Sequence, residues 1–140
     1  MRAIKSVLVV DDDDINNYIN ERLLHKLQIA EEIIVANNGR DGIKCLEEHC
    51  FKSAKSPELI LLDINMPVMD GFEFLKEFHN MAFTNKQEVT IAVLTTSSDN
   101  RDKEKMKQLG VKYYINKPLT EEKILQLIRE MNGKGNQNSI

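Results

Sequence analysis

Four carboxylates stand in a row, Asp11-Asp12-Asp13-Asp14, directly after the apolar run Val7-Leu8-Val9-Val10. A run of that kind reads as a buried strand. Carboxylates crowded at its end repel one another unless something cationic, usually a divalent metal, sits among them. The arrangement is echoed twice: Ile60-Leu61-Leu62 leads into Asp63, and Tyr114-Ile115-Asn116 leads into Lys117-Pro118. Three strand ends therefore deliver carboxylates and one ammonium toward one edge of a sheet. Asp13 or Asp14 also suits the N-cap of the helix that follows.

The elements that must position these groups alternate along the chain. After the first strand, Ile15, Tyr18, Ile19, Leu23 and Leu27 recur at helical spacing. Ile33-Ile34-Val35 is a second strand, closed by the turn signal Asn37-Asn38-Gly39, and Ile43, Leu46 and Cys50 mark a helical face. Lys52 to Pro57 reads as a loop, Leu59 to Leu62 as the third strand and Met66 to Gly71 as a second loop. Leu75, Phe78 and Ala82 suggest a helix, and Val89 to Leu94 a fourth strand. Ser98 or Asp99 suits a cap for the next helix, which is poor in apolar residues, with only Met106 and Leu109 between Asn100 and Leu109. Tyr113 to Ile115 is the fifth strand. Thr120 opens a last helix with Glu121 and Glu122 well placed against its dipole, and Ile124, Leu127, Ile128 and Met131 as its buried stripe.

Strands alternating with helices predict an α/β fold, a five-stranded parallel sheet with helices on both faces. Ligands in such sheets bind outside the C-terminal strand ends, where the acidic clusters and Lys117 lie. The 140 residues suit one domain with a core of its own. A net charge of −3 gives no general attraction to nucleic acid or to an anionic membrane. No apolar run reaches the ~18 residues of a membrane span, and the start lacks a signal-peptide core. Cys45 and Cys50 form no CxxC pair and read as reduced thiols of a cytoplasmic protein, while His25, His49 and His79 have no ligand spacing.

The motifs VLVVDDDD, LLDINMPVMDG, VLTTS and YYINKP, in that order and spacing, resemble the receiver domain of two-component response regulators. The resemblance covers roughly Lys5 to Met131, so the expected division is a receiver over 1–131 and a flexible tail over 132–140. It implies a flavodoxin-like, doubly wound strand order 2-1-3-4-5. It also implies that Asp63 is the phosphoacceptor, and that Asp12, Asp63 and the backbone carbonyl of Asn65 bind Mg2+ directly, with Asp11 acting through water. Thr95 and Lys117 would contact the phosphoryl group, Thr95 and Tyr114 would form a conformational switch, and Pro118 would follow a cis peptide. Asn65 and Ser97 would flank the phosphoryl group and tune its hydrolysis.

The resemblance is to stand-alone receivers such as the chemotaxis regulator or to phosphorelay intermediates, so no output segment is expected. The implied partners are a sensor histidine kinase or histidine phosphotransfer protein and a downstream protein target, with no nucleic acid or membrane. The implied state is a monomer or a phosphorylation-dependent dimer. On this reading the chain is no enzyme beyond its own phosphorylation and dephosphorylation. The charges agree: Asp11, Asp12 and Asp63 contribute roughly −3, and Mg2+ with Lys117 about +3.

Three rivals are weaker. Asp11-x-Asp13 resembles the nucleophile motif of haloacid-dehalogenase-type phosphatases, which leaves Asp63 and Lys117-Pro118 unexplained. An FMN-binding flavodoxin needs a phosphate loop where four aspartates stand. A degenerate receiver acting only as an interaction module would not need Asp11, Asp12, Asp63, Thr95 and Lys117 together.

Overall fold

Successive residues of a strand point to opposite faces of its sheet. In β1 (Ile4–Val10) both sets are apolar: Val7 and Val9 enter one core, Leu8 and Val10 another. β3 (Leu59–Asp63) and β4 (Thr90–Thr95) divide in the same way, which leaves the sheet with two faces to cover. One face is covered by α1 (Asp14–Leu27) through Leu24 and by α5 (Glu121–Asn132) through Ile124, Leu127 and Ile128. The other is covered by α2 (Gly39–Leu46), α3 (Gly71–Asn80) and α4 (Asn100–Gln108), through Ile43, Leu46, Phe74, Leu75, Phe78 and Met106. β2 (Ala30–Ala36) and β5 (Tyr113–Asn116) complete a parallel sheet in the order β2-β1-β3-β4-β5, as expected. This computed structural model describes residues 4–48, 57–64, 70–82, 88–96, 100–133 and 138–139.

Two features differ from the sequence expectation. β6 (Asn138–Ser139) pairs in parallel with Tyr113 and Tyr114 of β5, within the stretch expected to be a flexible tail. Edge pairing uses only backbone groups, so Asn and Ser give no apolar signal for it. In α1, the stripe read from Ile15, Tyr18 and Ile19 faces solvent, at 70%, 58% and 54% exposure, while Asn17, Asn20 and Leu24 are buried. Polar contacts set the phase of this helix. Asp13 caps it through the N–H groups of Ile15 and Asn16, and the Asn17 amide donates to the Asp11 carbonyl at 2.8 Å.

The expected stripes of α3 and α5 are buried at Leu75, Phe78, Ile124, Leu127 and Ile128, whereas Ala82 lies exposed beyond α3. His25 and His79 are exposed, and Cys45 is a free thiol. His49, Cys50, the Lys52–Ser56 segment, Met66 to Met69, Ser98 and Asp99 lie outside the described residues. No helix among the described residues is long and apolar enough to cross a membrane.

Candidate functional site

The last register pair of β1 and β3 is Val10 opposite Leu62, so Asp11 and Asp63 follow side by side at the C-terminal rim. Both are buried, at 1% and 3% exposure, and Asp12 is exposed beside them. One carboxylate oxygen from each lies within 4.8 Å of the others. Asp11 Oδ1 accepts the Asp13 N–H at 2.9 Å, whereas its Oδ2 is buried with no hydrogen-bond partner among the described residues. A buried carboxylate oxygen without a donor is costly. Burial first, and then the charge of Asp63, hold the Asp11 carboxyl up at about 6, against the lowering effects of the Asp13 N–H and of Lys117. An orphaned oxygen in an all-oxygen set of clustered carboxylates fits a hard divalent cation. The described ligand candidates are Asp11, Asp12 and Asp63; Asn65 lies outside the described residues.

The cation of the site comes from the far side of β4. Lys117 Nζ donates to Asp63 Oδ1 at 2.9 Å, with the lysine side chain 25% exposed and the aspartate side chain 4%. The Lys117 N–H donates to the Thr95 carbonyl at 3.0 Å, which ties the end of β5 to the end of β4. The Lys117–Pro118 peptide is cis. Thr95 is 1% exposed and ends β4 opposite Asn116. Alternation puts Thr95 on the same face as Val93, whose register partner is Tyr114. Thr95 and Tyr114 are thus diagonal neighbours on the α4 side of the sheet. Tyr114 is 7% exposed, and its hydroxyl donates to the Lys103 carbonyl of α4 at 3.0 Å.

The family model for the response regulator receiver domain matches residues 7–129. This chain belongs to that family. A two-component response regulator of Cytophaga hutchinsonii superposes with a TM-score of 0.83 at 33% identity, over 94% of this chain and 99% of that one. Two-component response regulator 24 of Arabidopsis thaliana is 31% identical over 127 residues, covering 91% of this chain and 84% of the relative. The receiver domain of a Pseudomonas aeruginosa sensor histidine kinase, solved with magnesium coordinated in its active-site cleft, has the same fold, with a TM-score of 0.75 at 24% identity over 94% and 99% of the two chains. The chain is therefore a signalling receiver of phosphorelay type rather than a member of an enzyme family.

The receiver's rim also depends on residues that sequence reading did not single out. Asn17 lies 4% exposed on the inner face of α1, and its amide bridges the Asp11 carbonyl at 2.8 Å and Asn37 Oδ1 at 3.3 Å. It joins the loop after β1 to the loop after β2; an asparagine out of phase with its helix's apolar residues was the available signal. Gly71 opens α3 directly beneath the end of β3. A Cβ there would lie 2.5 Å from Ile64 Cδ1, 2.7 Å from Ile64 Cα and 3.2 Å from the Asp63 carbonyl, so no side chain fits without moving the strand that carries Asp63. Ser97, like Asn65, lies outside the described residues.

Proposed function

We propose that this receiver accepts a phosphoryl group on Asp63 from a phosphohistidine-bearing histidine kinase or phosphotransfer protein and switches conformation to regulate another protein. The observation that carries the reading is Asp63 itself, buried, ion-paired with Lys117 at 2.9 Å and clustered with Asp11 and Asp12. In the reaction a carboxylate oxygen of Asp63 bonds to phosphorus as the donor's N–P bond breaks, and the leaving imidazole takes up a proton. Mg2+, when bound by Asp11, Asp12, Asp63 and the Asn65 carbonyl, supplies the charge that lets an anion approach three carboxylates. Lys117 releases its contact with the Asp63 carboxylate and pairs with the incoming phosphoryl oxygens. The Thr95 hydroxyl donates to another of them. The acceleration is thus positioning and charge stabilisation by the receiver's own residues, which catalyse their own phosphorylation and dephosphorylation.

The donor's docking face is the exposed edge of α1. Ile15, Tyr18 and Ile19 are the large exposed apolar residues among those described, on a helix that starts directly after the carboxylate turn. Arg22 holds the Tyr18 ring in place through a 3.1 Å hydrogen bond to its hydroxyl and a guanidinium 5.6 Å from its centroid. A helix presenting phosphohistidine to Asp63 would lie against this edge. The compartment we infer is the cytoplasm, where Cys45 stays reduced.

The switch runs from Thr95 to Tyr114 and, through the tyrosine hydroxyl, to α4. Among the described residues of α4 only Met106 is buried, so the helix is lightly anchored and a change at Tyr114 can displace it. Hydrogen exchange checks this with beryllofluoride and Mg2+ as the phosphoryl mimic. Amides of α4 change their protection when the mimic binds wild type and not when it is added to Asp63→Asn. Equal protection of α4 with and without a mimic that visibly binds would remove the switch, and absence of any binding would leave an interaction module.

A further inference from the structure

We propose that Lys123 is a positioning residue for Lys117, acting by clamping the two peptide carbonyls that flank it. The inference rests on the reading that Lys117 meets the phosphoryl group.

Lys123 is the third residue of α5, and its N–H donates to Oγ1 of the N-cap Thr120 at 3.3 Å. At this position a helix dipole favours acidic side chains, and a capping box would carry Glu or Gln. Glu121 and Glu122 follow that preference in the two preceding positions. A lysine here runs against it, so its ammonium has to be satisfied elsewhere. It turns back toward the sheet and donates to the Asn116 carbonyl at 2.6 Å and to the Pro118 carbonyl at 3.0 Å.

Neither carbonyl belongs to α5. They stand immediately before and after Lys117, whose own N–H is held by the Thr95 carbonyl at 3.0 Å. The backbone that bears Lys117 is thus fixed at three points, twice from α5 and once from β4. This matters because lysine is a compact charge on a flexible four-carbon stem, and its position is set by where the stem begins. The Lys117 side chain is 25% exposed, which leaves it room to leave Asp63 if its base shifts. Small misplacement of a charge-stabilising group is enough to slow a reaction several-fold.

The experiment compares wild type, Lys123→Met and Lys123→Arg, each as the full chain. Three quantities are measured: the rate of phosphoryl uptake from acetyl phosphate against donor concentration, the Mg2+ affinity by calorimetry, and the NMR signal of the Lys117 ε-carbon. Lys123→Met lowers the maximal uptake rate by roughly threefold to tenfold, leaves Mg2+ binding at least as tight as wild type and shifts the Lys117 signal, whereas Lys123→Arg restores most of the rate. A fold lesion would instead weaken Mg2+ binding, because the carboxylates hold the ion and Lys117 competes with it for Asp63. Wild-type uptake and an unmoved Lys117 signal in Lys123→Met would overturn the clamp. Equal loss in Lys123→Arg and Lys123→Met, with Mg2+ binding weakened in both, would overturn it too. If wild type itself takes up no phosphoryl group, the functional reading fails, while the Lys117 signal still decides the clamp.

Discussion

Lys117→Ala slows phosphoryl uptake from acetyl phosphate by about a hundredfold or more, with Mg2+ binding retained. The ammonium stands 2.9 Å from Asp63 Oδ1, close enough to pass to a phosphoryl oxygen as the new bond forms. It offsets negative charge where that charge develops, and water cannot replace it at a carboxylate only 3% exposed. Removing it takes away the ammonium that pairs with Asp63 and competes with Mg2+ for that carboxylate, which tightens Mg2+ while it slows the chemistry. That divergence separates loss of charge stabilisation from general damage. Quenched-flow mass spectrometry with parallel calorimetry measures both quantities. An uptake rate within about threefold of wild type would remove Lys117 from the reaction.

Asp11→Asn stabilises the metal-free receiver at pH 7, by up to about 3 kcal/mol. The Asp11 carboxyl is raised from 3.8 to about 6 by burial and by the neighbouring charge of Asp63. A raised carboxyl favours folding while protonated. Its contribution is complete below pH 3.8, where folded and unfolded chains are both protonated, and is lost as pH climbs to about 6 and the folded group ionises. At neutral pH the folded chain carries the full cost of a buried charge, and asparagine removes that cost without changing shape. The difference in unfolding free energy between variant and wild type therefore grows between about pH 4 and pH 6 and is flat above. Mg2+ competes with the same proton, so wild-type affinity for the ion rises with pH through that window and levels off, and the variant loses most of it. Denaturant unfolding across pH, with and without Mg2+, follows both. A variant less stable than wild type at pH 7 without metal would show that Asp11 is satisfied in some other way.

The strands and the rim groups were legible because each rests on a local pattern. An apolar run ending in carboxylates at Val7–Asp14, Leu59–Asp63 and a Lys-Pro after Tyr113–Asn116 are written in consecutive residues. Burial on both faces of β1, β3 and β4 follows directly from runs that are apolar without alternation. Other features depend on contacts between distant segments and left no local mark. The phase of α1 is set by Asn17 reaching the Asp11 carbonyl, so Ile15, Tyr18 and Ile19, apolar by type, turn outward. Gly71 is needed because α3 begins against Ile64, a closeness that a loop signal does not convey. β6 is made of polar residues whose pairing is entirely backbone. The direction in which Lys123 turns is settled only once α5 is docked beside the end of β5.

The measurement that bears most directly on the central claim is intact mass after incubation with acetyl phosphate, for wild type and Asp63→Asn, with and without Mg2+. Wild type gains a single phosphoryl adduct that needs Mg2+, is released by hydroxylamine as an acyl phosphate should be, and is absent from Asp63→Asn. An adduct of equal yield on Asp63→Asn, or one on wild type that forms equally well without Mg2+, would contradict that claim.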